Sequence, residues 1–177
     1  FDAFYKATWT STEQEMGFYY LAAIACAGGR FEEALEHVER ALVRNSRSGR
    51  TRGLKAVLLR LTGRSEAARI FLDESLAIDP FDYVSRFEHC GFDDVETLRL
   101  MRAEPNAFLG AARQYAEAGR WEEAVRILRA CGGESPLLHY YEAYYLEQHG
   151  LDPMPALRTA AAADPLYCFP NKLEDIA

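Results

Sequence analysis

The sequence predicts an all-α fold, a linear stack of antiparallel helix pairs, and three observations predict it. The first is a recurring phrase: Gly29-Arg30-Phe31-Glu32-Glu33-Ala34, Gly63-Arg64-Ser65-Glu66-Ala67-Ala68 and Gly119-Arg120-Trp121-Glu122-Glu123-Ala124. The second is its spacing. Gly63 follows Gly29 by 34 residues, Gly119 follows after 56 and Gly150 after a further 31. A period near 34 belongs to helix–turn–helix repeats. The third is composition: 177 residues with 49% apolar and 27% charged. Such a chain can bury a core without disulfide or metal staples and is too apolar for disorder.

Each unit follows the same physical logic. An apolar helix ends at a glycine suited to the left-handed conformation, and a second helix opens with glutamates at the positive end of its dipole. Ala34, Ala68 and Ala124, five residues past the glycines, let two helices approach closely. Val38, Leu72 and Leu128 follow one turn later on the same face. Pro80 and Pro165 stop the second and last units.

A single helical repeat domain is expected over 1–177, with units at about 15–48, 49–82, 105–135 and 136–165. Between them, 83–104 reads as a contracted irregular pair that bends the stack. Val84, Phe87 and Cys90 form one short helix, broken by Gly91. Val95, Leu98, Arg99 and Met101 form another, opened by Asp93-Asp94 and stopped before Pro105. At the ends, Ser11 with Gln14 supplies a capping signal, and 166–177 reads as a terminal cap with a short helix over 171–177.

These residues resemble the tetratricopeptide repeat (TPR) family, whose pattern runs W-x2-L-G-x2-Y, A-x3-F, then P. Unit one carries Phe18, Leu21, Ala22, Gly29, Phe31, Ala34 and Val38. Unit three carries Phe108, Ala112, Tyr115, Gly119, Trp121, Ala124 and Leu128. Unit two departs, with Arg52 and Lys55 where the family has an aromatic and a leucine. Unit four keeps Ala143, Leu146, Gly150 and Ala156 with a shortened second helix. The resemblance implies a right-handed superhelical solenoid that binds protein through a concave groove. The opening FDAFYKATW and closing DPLYCFPNKLEDIA also resemble the helical-repeat region of large bacterial proteins whose neighbouring region is thought to act on carbohydrates. That implies an accessory module of a longer, cytoplasmic protein, an expectation that Phe1 in place of an initiator Met also suggests.

Catalysis finds little support. There is no G-x-S-x-G, H-E-x-x-H, P-loop or G-x-G-x-x-G. Glu32-Glu33 and Glu122-Glu123 recur with the scaffold, at the first turn of a helix, so they read as scaffold chemistry. Cysteines 26, 90, 131 and 168 and histidines 37, 89, 139 and 149 lack ligand spacing, so no metal and no cofactor is expected. The longest apolar run, Phe18 to Ala27, is too short to span a membrane.

Binding does better. The groove-facing positions implied by the resemblance include Tyr19 and Ala23, then Arg50, Gly53, Val57 and Arg60. Leu109, Arg113 and Glu117 follow from unit three, and Tyr140 and Tyr144 from unit four. The candidate partner-binding residues are Tyr19, Arg50, Arg60, Arg113, Tyr140 and Tyr144. The tyrosines are either inter-repeat packing or a peptide or sugar platform. The lysine and asparagines of chaperone-tail binders are absent at Tyr19 and Ala23.

Charge is segregated. The chain carries −7 overall, yet residues 44–69 carry +7, flanked by −4 over 1–43 and −6 over 70–104. Either this basic stretch complements acidic neighbours within the stack, or it docks an acidic partner at Arg50, Arg60 and Arg113. On the second reading, reversing Arg60 and Arg113 leaves the fold intact and abolishes acidic-peptide affinity. Nucleic acid is not expected at a net −7. The partner is expected to be a protein or peptide, or another domain of the same chain, with self-association through exposed faces as a third reading.

Overall fold

The structure is a computed structural model that describes residues 1–9, 13–133 and 135–165. Among these residues there are eleven helices and no strand. They are α1 (Asp2–Ala7), α2 (Gln14–Ala27), α3 (Phe31–Arg44), α4 (Gly49–Leu61), α5 (Ser65–Ile78) and α6 (Tyr83–Cys90). Then follow α7 (Val95–Met101), α8 (Pro105–Glu117), α9 (Trp121–Ala130), α10 (Pro136–Gln148) and α11 (Met154–Ala162). The chain is an α-solenoid in which α2 packs on α3, α4 on α5, α8 on α9 and α10 on α11. The capping residue Ser11 and the expected terminal cap at 166–177 lie outside the described residues. One helix was not anticipated: α1 docks Phe4 on Tyr20, ring centroids 4.6 Å apart.

The recurring phrase encodes one backbone motif, which is made a fourth time at Gly150-Leu151. Arg30, Arg64, Arg120 and Leu151 N–H groups donate to the carbonyls of Ala25, Leu59, Tyr115 and Leu146. The preceding glycines 29, 63, 119 and 150 all have positive φ. These are Schellman closures, which satisfy carbonyls that a helix end leaves orphaned. After the first three closures the next helix starts at an arginine with no side-chain cap, and glutamates of its first turn supply the favourable charge instead. Elsewhere side chains cap directly: Ser48, Asp82 and Asp94 accept from Thr51, Ser85 and Thr97 N–H groups.

Helix α4 accommodates its two departures by reversing polarity across the hairpin. Arg52 is buried, donates from Nε to Ser75 Oγ at 3.0 Å and lies 4.5 Å over the Phe71 ring of α5. Lys55 covers the same ring at 4.6 Å and pairs with Glu39 of α3 at 2.5 Å. The aromatic comes from the second helix and the cation from the first, an arrangement that retains cation–π attraction in the seam.

The contracted pair lies in the stack between α5 and α8. Helix α6 sits against both α4 and α5, whereas α7 touches little beyond α6. Helix α7 ends at Arg102 and Ala103, two non-glycine residues with positive φ, a conformation sterically costly for L-residues. The stack then tightens enough for α8 to reach α4, α6 and even α2. The buried core accordingly forms two adjoining lengths. One runs over α2–α5 and the other from Val57 to Ala156, and Ala118 just past the end of α8 is embedded in the first. Gly53 marks the closest approach of α4: a Cβ there would lie 3.0 Å from Val84 and 3.2 Å from Gln114. Gly53→Ala gains about 1 kcal/mol of helix propensity but crowds Val84 and Gln114 at a cost of about 1–3 kcal/mol, so a net loss of about 1 kcal/mol is expected in chemical denaturation.

Candidate functional site

The six candidate residues do not share one cleft. Closure of the stack draws α2, α4 and α8 together, so positions expected in an open groove become interior. Ala23, Gly53, Val57 and Leu109 are buried. Tyr19 is only 1% exposed. Its hydroxyl donates to Glu117 Oε2 at 2.6 Å, while Arg50 Nη2 donates to Glu117 Oε1, also at 2.6 Å. The Arg50 guanidinium also lies over the rings of Tyr19 and Tyr20, at 4.9 and 5.5 Å. Burial and the neighbouring Glu117 carboxylate push the Tyr19 hydroxyl well above its usual pKa, so it is a permanent donor. One carboxylate of α8 thus ties α2 to α4.

Arg60 belongs to a second cluster. Its Nε and Nη2 donate to the two oxygens of Glu88 at 2.7 and 3.2 Å, and Nη2 reaches Glu123 at 3.3 Å. The buried Tyr115 hydroxyl donates to Glu88 at 2.7 Å. The Glu88 side chain is 1% exposed, and the knot joins α4, α6, α8 and α9 with Arg60 at its water-facing edge. Burial works against the Arg60 charge, but its bonds to Glu88 outweigh that and hold the guanidinium above its ordinary pKa. The expectation that reversing Arg60 leaves the fold intact is corrected here, because a carboxylate at 60 would face buried Glu88 and Glu123.

Arg113, one turn before Glu117 on α8, reaches across to α10. It donates to the Tyr141 hydroxyl at 2.9 Å and covers that ring at 5.7 Å. The four neighbouring tyrosines divide by helical face. Tyr145 is buried with its ring 5.9 Å from Trp121 of α9, and Tyr141 is half-buried. Tyr140 and Tyr144 stand 47% and 51% exposed, one turn apart on α10.

The basic stretch finds acids within the chain. Besides Arg50 and Arg60, Lys55 meets Glu39, Arg64 meets Glu32 at 2.5 Å, and Arg69 meets Glu66 and Asp73. Sequence reasoning placed Glu117 on the groove face but did not see its role, and it missed Glu88. The excess of carboxylates over 70–104 was a signal for Glu88, yet nothing local marked which one would be buried.

Cys26 is buried, and desolvation pushes its thiol up to about 11. Burial also raises the Cys131 thiol. Both are therefore poor nucleophiles and packing residues. Cys90 is exposed, and Cys168 lies outside the described residues. Among the described residues no three histidines, cysteines or carboxylates converge to hold a metal ion, and no helix is long and apolar enough to cross a membrane.

Residues 105–130 match the tetratricopeptide repeat family. The tetratricopeptide match spans α8, the Gly119 closure and α9, the hairpin that carries Arg113, Tyr115, Glu117 and Glu123. Two solved structures of MamA resemble the chain. A point mutant is 17% identical, with 88% of this chain and 100% of that one covered and a TM-score of 0.41. MamA MSR-1 is 18% identical, with 84% and 95% covered and a TM-score of 0.38. No curated protein matches.

Proposed function

We propose that this chain is a non-enzymatic scaffold that binds a protein segment, from a separate partner or from another domain of its own chain. The observation that carries it is the exposed Tyr140/Tyr144 ledge on α10, directly after the tetratricopeptide hairpin α8–α9. Helices α2 and α4 are closed against α8, whereas the ledge on α10, the first helix of the next hairpin, stays exposed. The α8 side is shallow there: a Cβ at Gly110 would meet nothing within 4 Å. Half-exposed tyrosines with apolar rings and polar tips suit such a platform, because they bury much area at little conformational cost.

Tyr140→Ala with Tyr144→Ala should leave thermal stability nearly unchanged, since neither ring is buried. Affinity capture with the intact protein and with this double variant tests the reading. Partners held by the ledge should be lost from the variant. An unchanged set of captured proteins would count against this surface.

A further inference from the structure

The bonds around Glu117 have the makings of a receptor already filled. A carboxylate sits between a buried tyrosine hydroxyl and a guanidinium, both at 2.6 Å, and the guanidinium is itself held by two aromatic faces. We infer that Tyr19, Tyr20 and Arg50 form a carboxylate-recognition site that Glu117 occupies in cis, and that an acidic side chain of a partner segment takes by displacing it.

Two comparisons within the molecule support this assignment. Glu88 is also held by an arginine and a tyrosine, but its side chain is 1% exposed and inaccessible to exchange. The Glu117 and Arg50 side chains are 20% and 28% exposed, so water, and an incoming carboxylate, can reach the pair. Displacement rather than addition is required on electrostatic grounds. Arg50 also lines a cavity of about 180 Å³ whose walls include Asp79 and Asp82, which repel a second anion. The acid must arrive from the side of Glu117 and take its place. Exchange replaces one charge-assisted pair by another, so the cost is small and the gain comes from whatever else the partner contacts. The displaced Glu117 side chain would turn to solvent while Ala118 and Gly119 keep α8 seated on α2. The site uses residues other than the Tyr140/Tyr144 ledge, so the two readings fail separately.

Chemical rescue tests it. Glu117→Ala leaves a space the size of a carboxylate facing Tyr19 and Arg50. Acetate should raise the melting temperature of this variant above that in chloride at equal ionic strength and pH. It should do nothing specific to the wild type or to Glu117→Ala with Arg50→Ala. A folded single variant with no acetate-specific rise, or an equal rise in the double variant, would overturn the site. Glu117→Gln keeps the volume, removes the competing charge and covers the case in which the alanine variant does not fold. A fluorescent octaglutamate peptide should bind it about tenfold more tightly than the wild type, the scale of one charge-assisted contact. Equal affinity for both proteins, or equal binding of an octalysine peptide, would reject the proposal.

Discussion

Gly119→Ala should destabilise the protein well beyond Gly29→Ala, although both glycines occupy the same position of the same backbone closure. Gly29 has φ +75° and open space where a Cβ would stand. Its replacement costs only the left-handed backbone, about 1–2 kcal/mol. Gly119 has φ +71°, and a Cβ there would lie 2.8 Å from Ala27 Cα and 2.9 Å from Ala27 Cβ. The backbone of α2 must then move, adding about 1–3 kcal/mol of overpacking. Gly119→Val should cost at least about 3 kcal/mol. Denaturant midpoints of the two alanine variants measure the difference, and equal midpoints would mean that α8 does not close onto α2.

Glu88→Ala is the second large effect, expected at about 3 kcal/mol. The substitution leaves the Tyr115 hydroxyl buried without its acceptor and takes the bidentate partner from Arg60. Arg60 is 41% exposed on its side chain and keeps Glu123, which places the cost at the low end of the range for breaking a buried pair. Replacing Arg60 as well should recover part of the loss, because the cation no longer lacks a partner. A double-mutant cycle on Arg60→Met and Glu88→Ala checks this. Strict additivity would show that the two side chains do not act as one unit.

The two effects share a cause that local sequence does not display. Gly119 was legible as a turn, since its phrase recurs with Gly29 and Gly63, but nothing near it announces Ala27 as a neighbour. Arg60 was legible as a cation in a basic stretch, whereas its partner Glu88 is one of several carboxylates in the acidic block that follows. The same holds for Tyr19 and Arg50. Their residue types and helical faces were readable, but Glu117 lies 98 and 67 residues away. An open groove was the natural expectation from repeats taken one at a time. In the folded chain α2, α4 and α8 meet, and five groove positions (Tyr19, Ala23, Gly53, Val57 and Leu109) are core.

What the sequence by itself determined is everything governed by short-range stereochemistry. Glycine closures, first-turn glutamates, small alanines at crossings and side-chain caps act within a few residues, so each hairpin was readable from its own phrase. The segregation of +7 against −4 and −6 was likewise plain, together with its capacity to satisfy itself. Only the tertiary structure decided which charges meet, which tyrosines remain in water and whether the inner surface is open. Those outcomes depend on contacts between helices far apart in the chain, such as Glu117 of α8 with Tyr19 of α2 and Arg50 of α4, which no local pattern pairs.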